Sequence, residues 1–265
     1  MIMADNKRAA RVPALDRGLD VLESMIALDA PLTLTAIARE CGRSVPELQR
    51  IVACLHRRGY LLRDVAGAYR IGSRIFTMGQ ACPPFQDLLA HARLPLRQFA
   101  RHTGQSVHLS VLSEDQLLIL ANVSGAGYLQ LDVAVGSMHD PVISASGRAL
   151  LAAMDSEKLR SFLRRSRGSI RQVAQLQSRL ARIRLRGYEL VQSHLYHGVH
   201  DLAVCASAPN SGITAAVACS YLRPRQRIRS RPTPAPAGLL RQLLDCAAEI
   251  STAADPKVDA LEKIQ

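Results

Sequence analysis

Residues Thr33–Arg58 read TLTAIARECGRSVPELQRIVACLHRR and predict two helices joined by a tight turn. Thr33 is suited to the N-cap of the first helix. Gly42 follows that helix at the position where a residue with a left-handed backbone conformation commonly ends a helix. Ser44 and Glu47 have the spacing of a capping box at the start of the second helix. This connection is typical of a helix-turn-helix, which places its second helix in the major groove of DNA.

The second helix has one apolar and one polar face. Its apolar residues recur at i, i+3, i+4 and i+7, which predicts a buried stripe formed by Leu48, Ile51, Val52 and Leu55. On the opposite face, Gln49, Arg50 and Arg57 have the chemistry to contact base edges or phosphates. The alternative is an ordinary helical hairpin whose charges are solvated.

A short hairpin is predicted directly after this motif. Gly59 and Tyr60 end the second helix, and a polar turn at Asp64–Gly67 separates two apolar pairs, Leu61-Leu62 and Tyr69/Ile71. A hairpin in this position is the wing of a winged helix.

The chain is strongly basic, with 34 Lys and Arg against 22 Asp and Glu and a formal net charge of +12. This balance favours a polyanionic partner such as double-stranded DNA. Residues 1–80 hold only 12 of the basic residues and 8 of the acidic ones, so most of the surplus lies elsewhere. Residues Lys158–Arg186 contain ten Lys or Arg and no acid, and we interpret them as solvated helix surface.

The length of 265 residues and 48% hydrophobic content predict two domains. The six cysteines form no CxxC pair, and Met1–Gly18 does not resemble a signal peptide, so we expect free thiols and a cytoplasmic protein. Leu202–Leu222 carries no charge, but Pro209–Gly212 interrupts it, which predicts two strands rather than a membrane span. We expect no membrane association.

Enzyme motifs are missing from the sequence. It has no GxSxG elbow, no P-loop and no GxGxxG motif, and no pair of carboxylates stands out. We therefore assign no catalytic residue and no cofactor.

The second half of the chain mixes alternating and helical patterns, which predicts an α+β domain around an antiparallel sheet. A connecting helix over residues 73–92 should break at Pro83-Pro84. The further helices are predicted at Leu94–His102, Ser144–Met154, Leu176–Ile183 and Leu239–Ile250. The strands are predicted around Val107–Val111, Leu118–Leu120, Tyr188–Val191, Val199–Ala206 and Ile213–Tyr221.

Several short motifs follow one another along nearly the whole chain. They are LDRGLDVL at 15–22, LTLTAIA at 32–38, YRIG at 69–72, TGQSVHL at 103–109 and SASGRALLA at 144–152. In this order and spacing they resemble the IclR (isocitrate lyase regulator) family of transcription factors.

The resemblance implies a winged helix-turn-helix over residues 1–74, a linker helix over 75–92, a GAF-like effector-binding domain over 93–256 and a tail over 257–265. It implies a homo-oligomer, a dimer or a tetramer, whose binding to an operator responds to a small carboxylate or aromatic acid. By position, the effector site would include Ser146, Gly147, Val199, Asp201 and Ser220. Simple N-capping is an equal alternative for Ser144 and Ser146.

The residues that we predict to contact DNA are Arg17, Thr33, Arg43, Ser44, Glu47, Gln49, Arg50, Arg57 and Arg70. The chain departs from the family at Val45-Pro46-Glu47, where a basic residue and a Ser/Thr pair are usual. Glu47 would repel the DNA backbone, unless the capping box engages its carboxylate or it accepts from a cytosine amino group. The alternative function is therefore a ligand sensor with weak or lost DNA binding that acts through protein partners.

Three histidines at a spacing of three, His194, His197 and His200, form the one constellation with the chemistry of a metal site. On a strand and its preceding loop their side chains need not converge. We take them as solvated or ligand-contacting and assign no metal ligand.

Overall fold

The structure is a computed structural model, and it describes residues 12–80, 83–126, 130–166, 170–193, 196–207, 212–222 and 237–252. The chain divides into two compact units, an N-terminal unit over Met1–Cys82 and a C-terminal unit over Pro83–Gln265. In its described part, no helix combines the length and apolar character needed to cross a membrane.

The N-terminal unit is a winged helix-turn-helix. Its elements are α1 (Pro13–Leu28), α2 (Leu34–Glu40), α3 (Val45–Arg57), β1 (Leu61–Arg63), β2 (Tyr69–Ile71) and α4 (Ser73–Gln80). The predicted apolar stripe of α3 points into its core, where Leu48 and Val52 are buried with Val21 and Met25 of α1 and Ile37 of α2. The first three helices therefore share one core, which fixes the orientation of α3.

The turn between α2 and α3 forms as the sequence predicts. Thr33 caps α2, since its hydroxyl oxygen accepts from the backbone N–H of Ala36 at 3.2 Å. Gly42 has φ +61°, a conformation that a side chain disfavours. The capping box at the start of α3 is also present, between Ser44 and Glu47.

The wing is a two-stranded antiparallel hairpin in which Leu61 pairs with Ile71. Its turn is closed by Asp64, whose carboxylate accepts from the Ala68 N–H at 2.8 Å. Leu32 bridges to Tyr69 through two backbone hydrogen bonds of 2.8 and 2.7 Å, which attach the hairpin to the segment before α2.

The C-terminal unit is built on a six-stranded antiparallel sheet of order β5-β4-β3-β8-β7-β6. Its strands are β3 (Val107–Ser113), β4 (Gln116–Val123), β5 (Met138–His139), β6 (Tyr188–Gln192), β7 (Val199–Ser207) and β8 (Thr214–Leu222). Its helices are α5 (Pro83–Thr103), α6 (Ala145–Ala153), α7 (Ser156–Arg165), α8 (Ile170–Arg186) and α9 (Ala237–Thr252). The predicted α+β class with an antiparallel sheet is confirmed.

Helices cover both faces of this sheet. On one face, α5 and α9 pack through Leu96 and Leu243 against Leu109 and Val217 of the central strands. On the other face α6 lies against β7 and β8, because its small residue Ala149 packs on Ala203 and Ala218. Helices α7 and α8 then pack on α6 in a separate apolar cluster. The face under α6 is lined by small residues and leaves room beside that helix.

Three predicted helices differ from the structure in extent, and one of them is α8, which starts at Ile170, six residues before the predicted Leu176. The helix predicted over Leu94–His102 is the second half of α5, which starts at Pro83 and contains Pro95 in its interior. The range 75–92 assigned to a linker helix covers most of α4 and the start of α5, on either side of the predicted break. Helix α7 was not predicted, because it contains four basic residues among few apolar ones.

Candidate DNA-contacting face and effector cavity

The exposed face of α3 carries the side chains predicted to contact DNA. Gln49, Arg50 and Arg57 are all exposed, and Arg43 is exposed in the turn that precedes α3. Arg70 is exposed on β2 in the wing. This face has the composition that phosphate and base-edge contacts require.

Glu47 is exposed, but its carboxylate is engaged by other groups of the protein. Its Oε2 accepts from the Ser44 backbone N–H at 2.9 Å and from the Ser44 hydroxyl at 2.7 Å. These two hydrogen bonds, backbone first, lower the pKa of the Glu47 carboxyl. Its Oε1 lies 3.6 Å from a guanidinium nitrogen of Arg17. Of the three readings of Glu47, the geometry matches the one in which the capping box holds the carboxylate.

The remaining predicted contacts are the two caps. Thr33 and Ser44 both hold the first turn of a helix through their side chains, and both are exposed. Sequence reasoning omitted Arg63 of β1, which is exposed in the wing and lies over the Tyr69 ring at 5.5 Å.

A cavity of about 370 Å³ lies in the C-terminal unit beside the start of α6. Its walls come from β3, β4, β7 and β8, from the N-terminal turn of α6 and from the segment 130–133. Ser146, Val199, Asp201 and Ser220 line it, so four of the five predicted effector residues come together. The volume is in the usual range for small-molecule sites.

The start of α6 forms one end of the cavity. Ser144 is the N-cap and its hydroxyl oxygen accepts from the Gly147 N–H at 3.1 Å, so the capping alternative holds for Ser144. Ser146 lies two residues further along, within the first turn of α6, and its hydroxyl is 2.9 Å from Nε2 of His108. The first N–H groups of a helix lack intrahelical acceptors, and they attract an anion.

Carboxylates line other parts of the wall. Asp201 on β7 accepts a hydrogen bond of 2.7 Å from the Ser220 hydroxyl on the neighbouring strand β8. Asp132 accepts from Asn122 at 3.1 Å and from Ser124 at 2.9 Å. Both carboxylates are therefore held in place and keep lone pairs for a further donor.

No Lys or Arg is among the described residues that line this cavity. Burial, and next the charge on His139, lower the pKa of His108 to about 4, so its imidazole is neutral near pH 7. Backbone N–H groups at the start of α6 therefore add to the positive potential of His139, which also lines the cavity.

Gly147, the fifth predicted effector residue, is not in the cavity wall. A Cβ at this position would overlap the backbone of Pro141, so its role is close packing of α6 on the preceding loop. Sequence reasoning missed His108 and Asp132 as wall residues. For His108 the signal was present, since it alternates with the buried Val107 and Leu109 and so points to the opposite face of the sheet.

The histidine triplet does not form a cluster in the described residues. His194 lies outside them, His197 is exposed, and His200 stacks on Tyr221 with ring centroids 5.8 Å apart. Across the described ranges, no group of three or more His, Cys, Asp or Glu is arranged to hold a metal ion.

Two family models match the chain. Residues 14–65 match the IclR helix-turn-helix domain, and residues 84–252 match the bacterial transcriptional regulator IclR C-terminal domain. Together they cover the α2–α3 motif and the sheet domain that contains the cavity.

Similar proteins agree with these matches. The HTH-type transcriptional regulator BhcR of Paracoccus denitrificans is 28% identical over 261 residues, covering 95% of this chain and 91% of that protein. The transcriptional repressor IclR of Escherichia coli is 25% identical over 205 residues, 74% of each chain. An IclR homolog from Microbacterium hydrocarbonoxydans, solved in complex with 4-hydroxybenzoate, is similar in fold, with a TM-score of 0.75 and 20% identity over 90% of this chain and 98% of that one.

Proposed function

The chain belongs to the IclR family of bacterial transcriptional regulators, and we propose that a small hydroxylated carboxylate in its C-terminal cavity modulates its affinity for an operator. Its relatives are regulators rather than enzymes. The observation that carries the proposal is the composition of the cavity wall, where the start of α6 faces the cavity together with two aspartates.

The carboxylate of the ligand binds at the start of α6. The N-terminal N–H groups and the helix dipole favour an anion there, and Ser146 adds a hydroxyl. With no Lys or Arg among the described wall residues, this helix end supplies positive potential to the cavity together with His139. An acid of small size and single charge fits that source of potential better than a polyanion.

The aspartates select for a hydroxyl group. Asp201 and Asp132 would repel a bare anion, but each has lone pairs for a donor on the ligand. A ligand with a carboxylate at one end and a hydroxyl at the other satisfies both ends of the cavity. The homolog from Microbacterium hydrocarbonoxydans is complexed with 4-hydroxybenzoate, an acid of this class, which supports the proposal.

DNA is bound by the N-terminal unit. We propose that Arg43, Gln49 and Arg50 contact the major groove and its phosphates, with Arg57 and Arg70 at the flanks. Because Ser44 fixes the position of the Glu47 carboxylate and Arg17 lies 3.6 Å from it, its negative charge is partly offset, and this weakens the motive for a sensor that has lost DNA binding. A homodimer would place two α3 helices on two half-sites.

Effector binding acts by population shift. A ligand that binds one conformation of the protein better than another changes the operator affinity by at most the ratio of its affinities for the two conformations. The direction, activation or repression, depends on which conformation binds the operator.

The test is a thermal-shift screen of the full chain against hydroxylated and unsubstituted small acids. Binding to the native state raises the melting temperature by mass action, and more so for a ligand that binds more tightly. Because the aspartates bind a ligand hydroxyl, hydroxylated acids should give the larger shifts. Asp201→Asn should reduce the shift for a hydroxylated acid more than for its unsubstituted analogue. If unsubstituted acids stabilise the native protein as much as hydroxylated acids do, the aspartates do not select for a hydroxyl group.

A further inference from the structure

A second cavity, of about 670 Å³ and wide open to solvent, lies in the C-terminal unit between α8 and the segment 142–148. Helix α8 contributes Arg171, Gln175, Arg179 and Arg182, at spacings that place them on one side of the helix. Arg148 of α6 contributes the opposite wall. No Asp or Glu is among the described residues that line this cavity, which gives it a basic wall.

The carboxylate of Glu189, beside this cavity, already binds three arginines. Glu189 on β6 is fully buried, and its Oε1 accepts from Arg148 Nε at 2.9 Å and from Arg179 Nε at 2.8 Å. Its Oε2 accepts from Arg186 at 2.5 Å. One negative charge therefore faces three guanidinium groups, of which Arg148 is only 5% exposed.

Two further arginines of the cavity wall add to this excess. Arg171 and Arg182 are exposed, and no carboxylate in the described part of the chain forms an ion pair with either. The region holds five guanidinium groups against one carboxylate. Burial, and next the charge of Arg179, lower the pKa of Arg148, as expected where like charges crowd a poorly solvated site.

We propose that this cavity is a second ligand site, which takes a small, multiply charged oxyanion, foremost a phosphorylated metabolite. Guanidinium groups donate in a planar fork that matches phosphate oxygens, and several of them around one opening suit a ligand with several such oxygens. Such a ligand supplies the negative charge that Glu189 alone does not.

This second site is separate from the effector cavity. The two cavities share no lining residue, and their chemistry is opposite, since aspartates line the first and arginines the second. The proposal stands apart from the proposed function, because it requires neither an operator nor an effector in the first cavity.

The experiment is isothermal titration calorimetry of the full chain with pyrophosphate, in magnesium-free buffer at constant ionic strength. The test variant is the double substitution Arg171→Gln, Arg182→Gln, which leaves the three arginines around Glu189 intact. The control is Arg160→Gln, Arg164→Gln on α7, which removes the same charge from exposed positions outside the cavity wall.

We expect the native chain and the control to bind pyrophosphate with the same affinity. We expect the test variant to bind at least about tenfold more weakly, the order of one charge-assisted hydrogen bond. The proposal is overturned if the native chain does not bind pyrophosphate, or if both variants weaken it equally, since that result shows only general charge attraction. Tighter binding of succinate than of pyrophosphate overturns the assignment to phosphate. If the native chain does not bind pyrophosphate and the test variant loses operator binding, the arginines of α8 bind DNA instead.

Discussion

The buried carboxylate of Glu189 should make a large contribution to the stability of the C-terminal unit, and Glu189→Gln tests it. Glutamine keeps the shape of the side chain but removes the charge, and its amide presents donors where the arginines also donate. Arg148, almost entirely buried, then loses its counter-charge. Removing one partner of a buried pair costs about 3–5 kcal/mol.

That loss corresponds to a fall in Tm of roughly 6–20 °C for a unit of this size. The assay is thermal and urea unfolding followed by circular dichroism, with Asp115→Asn as the control. Asp115 pairs with Arg165 at 2.6 Å on the surface, where solvent screens the charges, so its removal should shift Tm far less. A loss below about 1 kcal/mol in Glu189→Gln, or an equal loss in the control, would show that the buried charge of Glu189 does not stabilise the unit. Pyrophosphate should also stabilise the variant more than the native chain, because the variant lacks the internal anion.

The other predictions concern the operator, pH and packing. Arg50→Ala should weaken operator binding in a gel shift about five- to a hundredfold, whereas Arg160→Ala on α7 should not; unchanged affinity removes Arg50 from the interface. Because the pKa of His108 is lowered to about 4 from 6.5, the unfolded chain binds more protons between these values, so stability falls as pH falls through this window, by about 2 kcal/mol from pH 7 to pH 5 in urea unfolding. His108→Asn should reduce that loss, and an equal loss in the variant contradicts the assignment. Gly147→Ala should destabilise by roughly 1–3 kcal/mol through overlap with Pro141, whereas Gly79→Ala, with open space around it, should not lower stability.

The helix-turn-helix was predictable because its determinants are local. Gly42, the capping box and the apolar stripe of α3 each depend on residues within a few positions of one another, and all three are present. The exposed arginines follow from that geometry, since the face opposite a buried stripe must be exposed. The partners of the Glu47 carboxylate were harder to predict, because one of them, Arg17, approaches from another helix.

The effector cavity was only partly predictable. Asp201 and Ser220 came from the family resemblance, and the pairing of β7 with β8 places them side by side. His108 and Asp132 enter the wall from β3 and from the segment after β4, and this depends on the order of the strands in the sheet. Periodicity within one strand does not encode that order. The arginine cluster around Glu189 likewise joins α6, α8 and β6, and in the sequence its members read only as surface charge.

The central claim is that a ligand in the aspartate-lined cavity changes the affinity of α3 for its operator. The direct measurement is fluorescence anisotropy of labelled DNA from the region beside the gene, with and without the acid that gives the largest thermal shift. It is made on the native chain and on Ser220→Leu, which places a larger apolar side chain in the cavity wall and leaves the packing of α6 on Ala203 and Ala218 intact. The account predicts that the acid changes the affinity of the native chain and that the variant binds DNA without responding. An acid that binds the native cavity and leaves its DNA affinity unchanged would contradict the account.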